Sequence, residues 1–95
     1  MNQHRDDRAR QIQESIRDVL LHEWDPIGVQ DVPEAQDEYD GYVGGVYGLL
    51  VSGASAEQLA EHLRKIETDA MGLSAPDQAK LLPVAHRLRG LDVKL

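Results

Sequence analysis

Four histidines, at positions 4, 22, 62 and 86, are the first residues in the chain that could bind a metal ion or move a proton. No two stand three or four residues apart, so no helix can turn a His pair to one side as the His-Glu-x-x-His pattern requires. A metal site would have to be assembled from distant segments, with His22, Asp25 and the acids of 31–40 as its donors. The stretch DVPEAQDEYDGY, residues 31–42, has the acid density of a calcium loop. With Gly41 at the loop's sixth position, Gln36, Glu38 and Asp40 fall at the first, third and fifth. The twelfth is then Tyr47, where a bidentate Glu is needed. The expectation is therefore no metal site and no cofactor.

Nucleophiles fare no better. The chain has no Cys, and its serines (Ser15, Ser52, Ser55, Ser74) lie outside any Gly-x-Ser-x-Gly context. Gly44-Gly45 has no Lys-Ser/Thr behind it, so there is no phosphate loop of the Walker type. These residues point away from an enzyme.

What remains is recognition. Tyr39, Tyr42 and Tyr47 stand beside the densest run of acids, and Trp24 precedes that run by one loop. Tyr and Trp offer large rigid contact area with a polar tip, and acids beside them steer a basic partner. The candidate partner-binding residues are Trp24, Asp25, Asp37, Glu38, Tyr39, Asp40 and Tyr47. A competing reading applies to Trp24 and Tyr42: the chain has no Phe, so aromatics are also needed as core bulk. Tyr47 lies off the main apolar face.

The net charge is −7. It argues against nucleic acid and anionic membrane as partners, because both would be repelled. The charge is uneven: residues 31–40 carry five acids and no base, while residues 71–95 sum to +2. The N-terminal MNQHRDDRARQIQES has no apolar stretch, so no signal peptide is expected, and no apolar run approaches the roughly 20 residues of a membrane span. With no Cys, a cytoplasmic location is the expectation.

The elements that must position these residues are helical. Ala9, Ile12, Ile16, Val19, Leu20 and Trp24 recur at helical spacing, giving a first helix over 7–23, with residues 1–6 expected to fray. Pro26 moves Asp25 out of the helix. Residues 27–33 form an ordered loop whose apolar members cover the end of the core. A second helix is expected from Pro33 or Glu34 to Val51, with Tyr39, Tyr42, Val43, Val46, Leu49 and Leu50 facing inward. Its glycines (Gly41, Gly44, Gly45, Gly48) are costly in a helix and predict close helix packing inside the bundle, with a dimer seam as the sharper reading.

Ser55 and Gln58 form a capping box for a third helix, lined by Leu59, Ala60, Leu63, Ile66 and Ala70 or Met71 and closed by Gly72. Glu57, Glu61, Arg64, Lys65, Glu67 and Asp69 form its outer face. Ser74 should cap a fourth helix, with Pro76 and Asp77 in its first turn. Pro83 would kink or split that helix, and Gly90 ends it, leaving 91–95 as an apolar tail. At 95 residues, this is one all-α domain, an antiparallel bundle of about four helices.

The run Leu20-Leu21-His22-Glu23-Trp24-Asp25-Pro26-Ile27-Gly28-Val29 resembles the YugE-like group of small helical bacterial proteins, whose function is unknown. The likeness lies in the Trp-Asp-Pro-Leu/Ile-Gly turn and covers the first half of the chain. It implies a helical bundle and a bacterial source, and it carries no activity. In such a turn Asp25 can cap backbone N–H groups of the loop, Gly28 can take an unusual dihedral, and Trp24 can clamp the turn to the core.

The expected function is a non-enzymatic interaction module that engages a basic protein, as an immunity or antitoxin-like protein does. A small-ligand or metal-binding protein is the alternative, and a homodimer built on the glycine stripe is the third reading.

Overall fold

Amphipathic periodicity and capping chemistry build four α-helices in the computed structural model, which describes residues 3–74 and 78–95. Helix α1 spans Gln3–Val19 and widens into a π-helical turn over Leu20–Trp24. Helix α2 spans Asp40–Val51. Helix α3 spans Ala56–Lys65 and widens into a second π turn over Ile66–Ala70. Helix α4 spans Gln78–Arg89. No strand occurs among the described residues, so the all-α bundle is the observed fold.

The core is aliphatic with an aromatic end. Ile12, Ile16, Val19 and Leu20 from α1 and its extension meet Leu59, Ala60 and Leu63 from α3 and Leu81, Val84, Ala85 and Leu88 from α4. Val43 and Val46 bring α2 onto this layer, and Trp24 and Tyr39 close one end.

Local chemistry explains the helix ends. Gln58 N–H donates to Ser55 Oγ at 3.1 Å and Ser55 N–H donates to Gln58 Oε1 at 2.8 Å, completing the capping box. Gly72, at φ +67°, turns the chain after α3 so that Leu73 N–H reaches the Glu67 carbonyl at 2.8 Å.

Several expectations need correction. α1 is helical from Gln3, ahead of the expected start at Asp7. Arg8 helps hold this end: it donates to the Lys94 and Asp92 carbonyls at 2.8 and 2.9 Å and pairs with the Asp92 carboxylate at 3.2 Å. The apolar tail 91–95 is thereby strapped across α1.

The second helix starts at Asp40, six or seven residues later than the sequence suggests. Before it, a 3₁₀ turn over Pro33–Ala35 continues into tight turns. Ala35, Glu38 and Asp40 N–H groups each bond to the carbonyl three residues back, at 3.0–3.1 Å. Gln36 Nε2 donates to the Gln30 and Val32 carbonyls, both at 2.9 Å, and draws this segment into a loop.

α4 runs unbroken through Pro83, which is exposed, so the helix is not split. Pro76 and Asp77, the expected first-turn residues, lie outside the described residues. The glycines of α2 do not mediate close packing. A Cβ at Gly41, Gly44 or Gly48 would meet nothing within 4 Å, and one at Gly45 would meet only the His62 ring, 3.3 Å from Nε2.

Candidate functional site

The Trp-Asp-Pro turn organises the surface on which the candidate residues lie. The π turn ends as Asp25 N–H donates to the Leu20 carbonyl at 2.9 Å. Asp25 then takes the left-handed conformation (φ 34°, ψ 59°) instead of the extended one that a following proline favours. Asp tolerates this region better than most residues because its short side chain bonds locally. Here it does so fully. Asp25 Oδ1 accepts from Val29 N–H at 2.7 Å and from the Tyr39 hydroxyl at 2.7 Å, and Oδ2 accepts from Gln30 N–H at 3.2 Å. Gly28 follows at φ +70°.

These bonds tune both ionisable groups. Burial alone would push the Asp25 carboxyl up, but the hydrogen bonds from Tyr39, Val29 and Gln30 outweigh it and hold the carboxyl below its ordinary value. The Tyr39 hydroxyl is pushed well above its usual range, first by burial and then by donating to the Asp25 carboxylate.

Trp24 and Tyr39 stand behind this turn with ring centroids 5.3 Å apart, and Tyr42 meets the indole edge-on at 6.1 Å. The indole N–H donates to Glu67 Oε2 at 2.9 Å. Glu67 is 8% exposed, which corrects its placement on the outer face of the third helix. Glu67 stands four residues after Leu63 and seven after Ala60, so helical spacing itself puts it on the buried face, and the π turn over Ile66–Ala70 keeps it there. Its charge, not its spacing, is what suggests the outer face.

The candidate partner-binding residues therefore separate into layers. Trp24, 8% exposed, and Tyr39, 1% exposed, are buried supports and cannot present contact area. Asp25 is half-buried and satisfied by the loop it caps. Asp40 receives Arg17 Nε and Nη2 at 2.7 and 2.8 Å, a bidentate pair that raises the Arg17 pKa, chiefly through the hydrogen bond. Asp37 and Glu38 are exposed, as are Asp31 and Glu34. No base pairs with these four acids among the described residues. Tyr47 is half-buried and packs on the core from α2.

The loop was expected to cover the core with its apolar side chains. Val29 does pack there, but Ile27 and Val32 are 42% and 40% exposed. The resulting surface is an acid-rich loop, 27–38, bearing two solvent-facing aliphatic side chains.

The metal reading finds no constellation: no group of three or more His, Cys, Asp or Glu is placed to hold an ion among the described residues. His22 and His86 are exposed, and half-buried His62 has its pKa lowered by burial and then by Lys65. Two serine hydroxyls donate to backbone carbonyls, Ser15 to Gln11 and Ser52 to Leu49, and Ser55 caps α3. No helix among the described residues is long and apolar enough to cross a membrane.

Comparison with known proteins finds no matching family model, no matching curated protein and no matching solved structure.

Proposed function

We propose that this protein is a non-enzymatic interaction module that binds a basic protein through the acidic loop 27–38. The observation that carries this reading is the exposure of Asp31, Glu34, Asp37 and Glu38, which pair with no base among the described residues, on a loop fastened at both ends. Asp25 holds one end, while Tyr39 and the Arg17–Asp40 pair hold the other. A pre-ordered loop loses little conformational entropy on binding. Unpaired acids accelerate encounter with a basic surface and select against acidic ones. Ile27 and Val32 supply apolar contact within the same patch.

An immunity or antitoxin-like protein that covers a basic toxin is one concrete form of this function. The net charge of −7 supports a protein partner over nucleic acid or an anionic membrane. The YugE-like turn is consistent with a rigid platform for such a loop and adds no activity.

The test is affinity capture at low and high salt with the wild type and with Asp31→Asn/Glu34→Gln/Asp37→Asn/Glu38→Gln. A basic protein held by the wild type, released by salt and lost in the variant supports the reading. Identical captured sets from both proteins would refute it.

A further inference from the structure

Between α1 and α2 lies an open apolar groove of about 160 Å³. Its floor is Ile12 and Val43, its walls are Ala9 and Tyr47, and Leu95 stands at its rim, 55% exposed. Gly44 leaves the wall open, since a Cβ there would meet nothing within 4 Å. Arg8 fixes the position of Leu95 by holding the carbonyls of Asp92 and Lys94.

The groove continues past Gln13 and Gly44 into a polar end formed by Arg17 and Asp40. Asp40 also joins it to the acidic loop: its N–H bonds to the Asp37 carbonyl at 3.1 Å. Apolar floor and polar end thus share Gln13, Val43 and Gly44, and Asp40 connects the polar end through its backbone to the acidic loop.

We infer that this groove is an anchor pocket for one large apolar side chain, Phe or Leu in kind, carried on a basic segment of the partner protein. The inference rests on the acidic-loop reading above. Size sets the first part: an apolar cavity of about 150 Å³ accepts a benzene ring, so the groove holds one side chain and not a helix face. Charge sets the second: bases flanking the anchor would lie against Asp37 and Glu38. An anchor in a pocket, rimmed by polar contacts, is the arrangement that concentrates binding energy at interfaces. It also gives Gly44 a role, because a side chain there would fill the space the anchor needs.

The experiment uses two synthetic peptides of equal charge, Lys-rich and differing only in a central Phe or Ser, titrated into the full chain. The Phe peptide is expected to bind at least tenfold more tightly than the Ser peptide. Gly44→Leu should remove that advantage while leaving the Ser peptide's affinity unchanged. A Phe advantage that survives Gly44→Leu, or equal binding of both peptides, overturns the anchor pocket and leaves the acidic-loop reading intact. Binding of both peptides that is insensitive to neutralising Asp31, Glu34, Asp37 and Glu38 overturns the acidic-loop reading instead. Methyl shifts at Ile12 and Val43 in the wild type with the Phe peptide provide a readout independent of the Gly44 variant; their absence also overturns the pocket.

Discussion

Trp24 and Glu67, 43 residues apart, meet in a buried 2.9 Å hydrogen bond made where two helices both widen into π turns. The bond ties the end of α1, and with it the Asp25 turn, to the end of α3. Trp24→Phe removes the donor and leaves the Glu67 carboxyl buried without it, at a cost of about 2–4 kcal/mol in unfolding free energy, combining lost packing with an unsatisfied polar group. Glu67→Gln keeps an acceptor and should cost about 1 kcal/mol. Denaturant melts of these variants, of Glu67→Leu and of Trp24→Phe/Glu67→Leu check this, with the double variant less destabilised than the sum of Trp24→Phe and Glu67→Leu.

Asp25 combines a left-handed backbone with three accepted hydrogen bonds. Ala at this position loses the bonds and keeps the strained φ, for a loss of roughly 2–4 kcal/mol. Gly loses the bonds but relieves the strain, and should be about 1 kcal/mol more stable than Ala. Tyr39→Phe removes the hydroxyl that donates to Asp25 and accepts from Ile27 N–H; it should cost about 1–2 kcal/mol. Equilibrium unfolding ranks the three. Equal stability of the Ala and Gly variants would contradict the dihedral argument.

The exposed glycines of α2 carry a prediction of the opposite sign. Gly44→Ala and Gly48→Ala should each stabilise the protein by roughly 0.5–1 kcal/mol, since each adds helix propensity and meets no neighbour. Gly45→Ala should gain less, because its Cβ falls 3.3 Å from His62 Nε2. Thermal melts of the three variants decide the order.

Much of this fold can be read from local signals. The Ser55–Gln58 capping box, the Gly72 turn and the Asp25 cap each follow from a residue's own chemistry within five positions, and each is in place. Spacing puts Glu67 inward, four residues on from Leu63, but its charge argues for the surface, and the Trp24 indole N–H that satisfies it there lies 43 residues away. Periodicity does place Tyr39 inward, but it carries neither the bond from its hydroxyl to Asp25, fourteen positions away, nor the tight turns that delay α2 to Asp40. The same holds for the Arg8 strap across the tail, made between residues more than eighty positions apart. The glycines of α2 misled for a different reason: spacing showed that a second backbone could approach, and nothing in the sequence says whether one does.

His62 gives a pH dependence. Burial, aided by Lys65, lowers its pKa, so the folded state favours the neutral ring. The unfolded chain then binds more protons, and the associated stability is present above the ordinary His range near pH 6.5 and lost as pH falls through the lowered folded value. The melting temperature should therefore drop between about pH 7 and pH 5, and His62→Gln should flatten that drop. Asp25, held below its ordinary value, acts with the same sign further into the acid range: its contribution is lost only as pH falls through its folded pKa. A wild-type and His62→Gln pair with parallel melting profiles would remove His62 from this role.

The acidic loop is tested most directly by titrating the Lys-rich Phe peptide into the wild type and into Asp31→Asn/Glu34→Gln/Asp37→Asn/Glu38→Gln at about 50 mM and 300 mM salt. These four side chains are exposed and pair with no base among the described residues, so the variant should melt within a few degrees of the wild type. Its affinity should fall at least tenfold at low salt, and its salt dependence should largely vanish. Equal affinity and equal salt dependence in the two proteins would contradict the proposed interface.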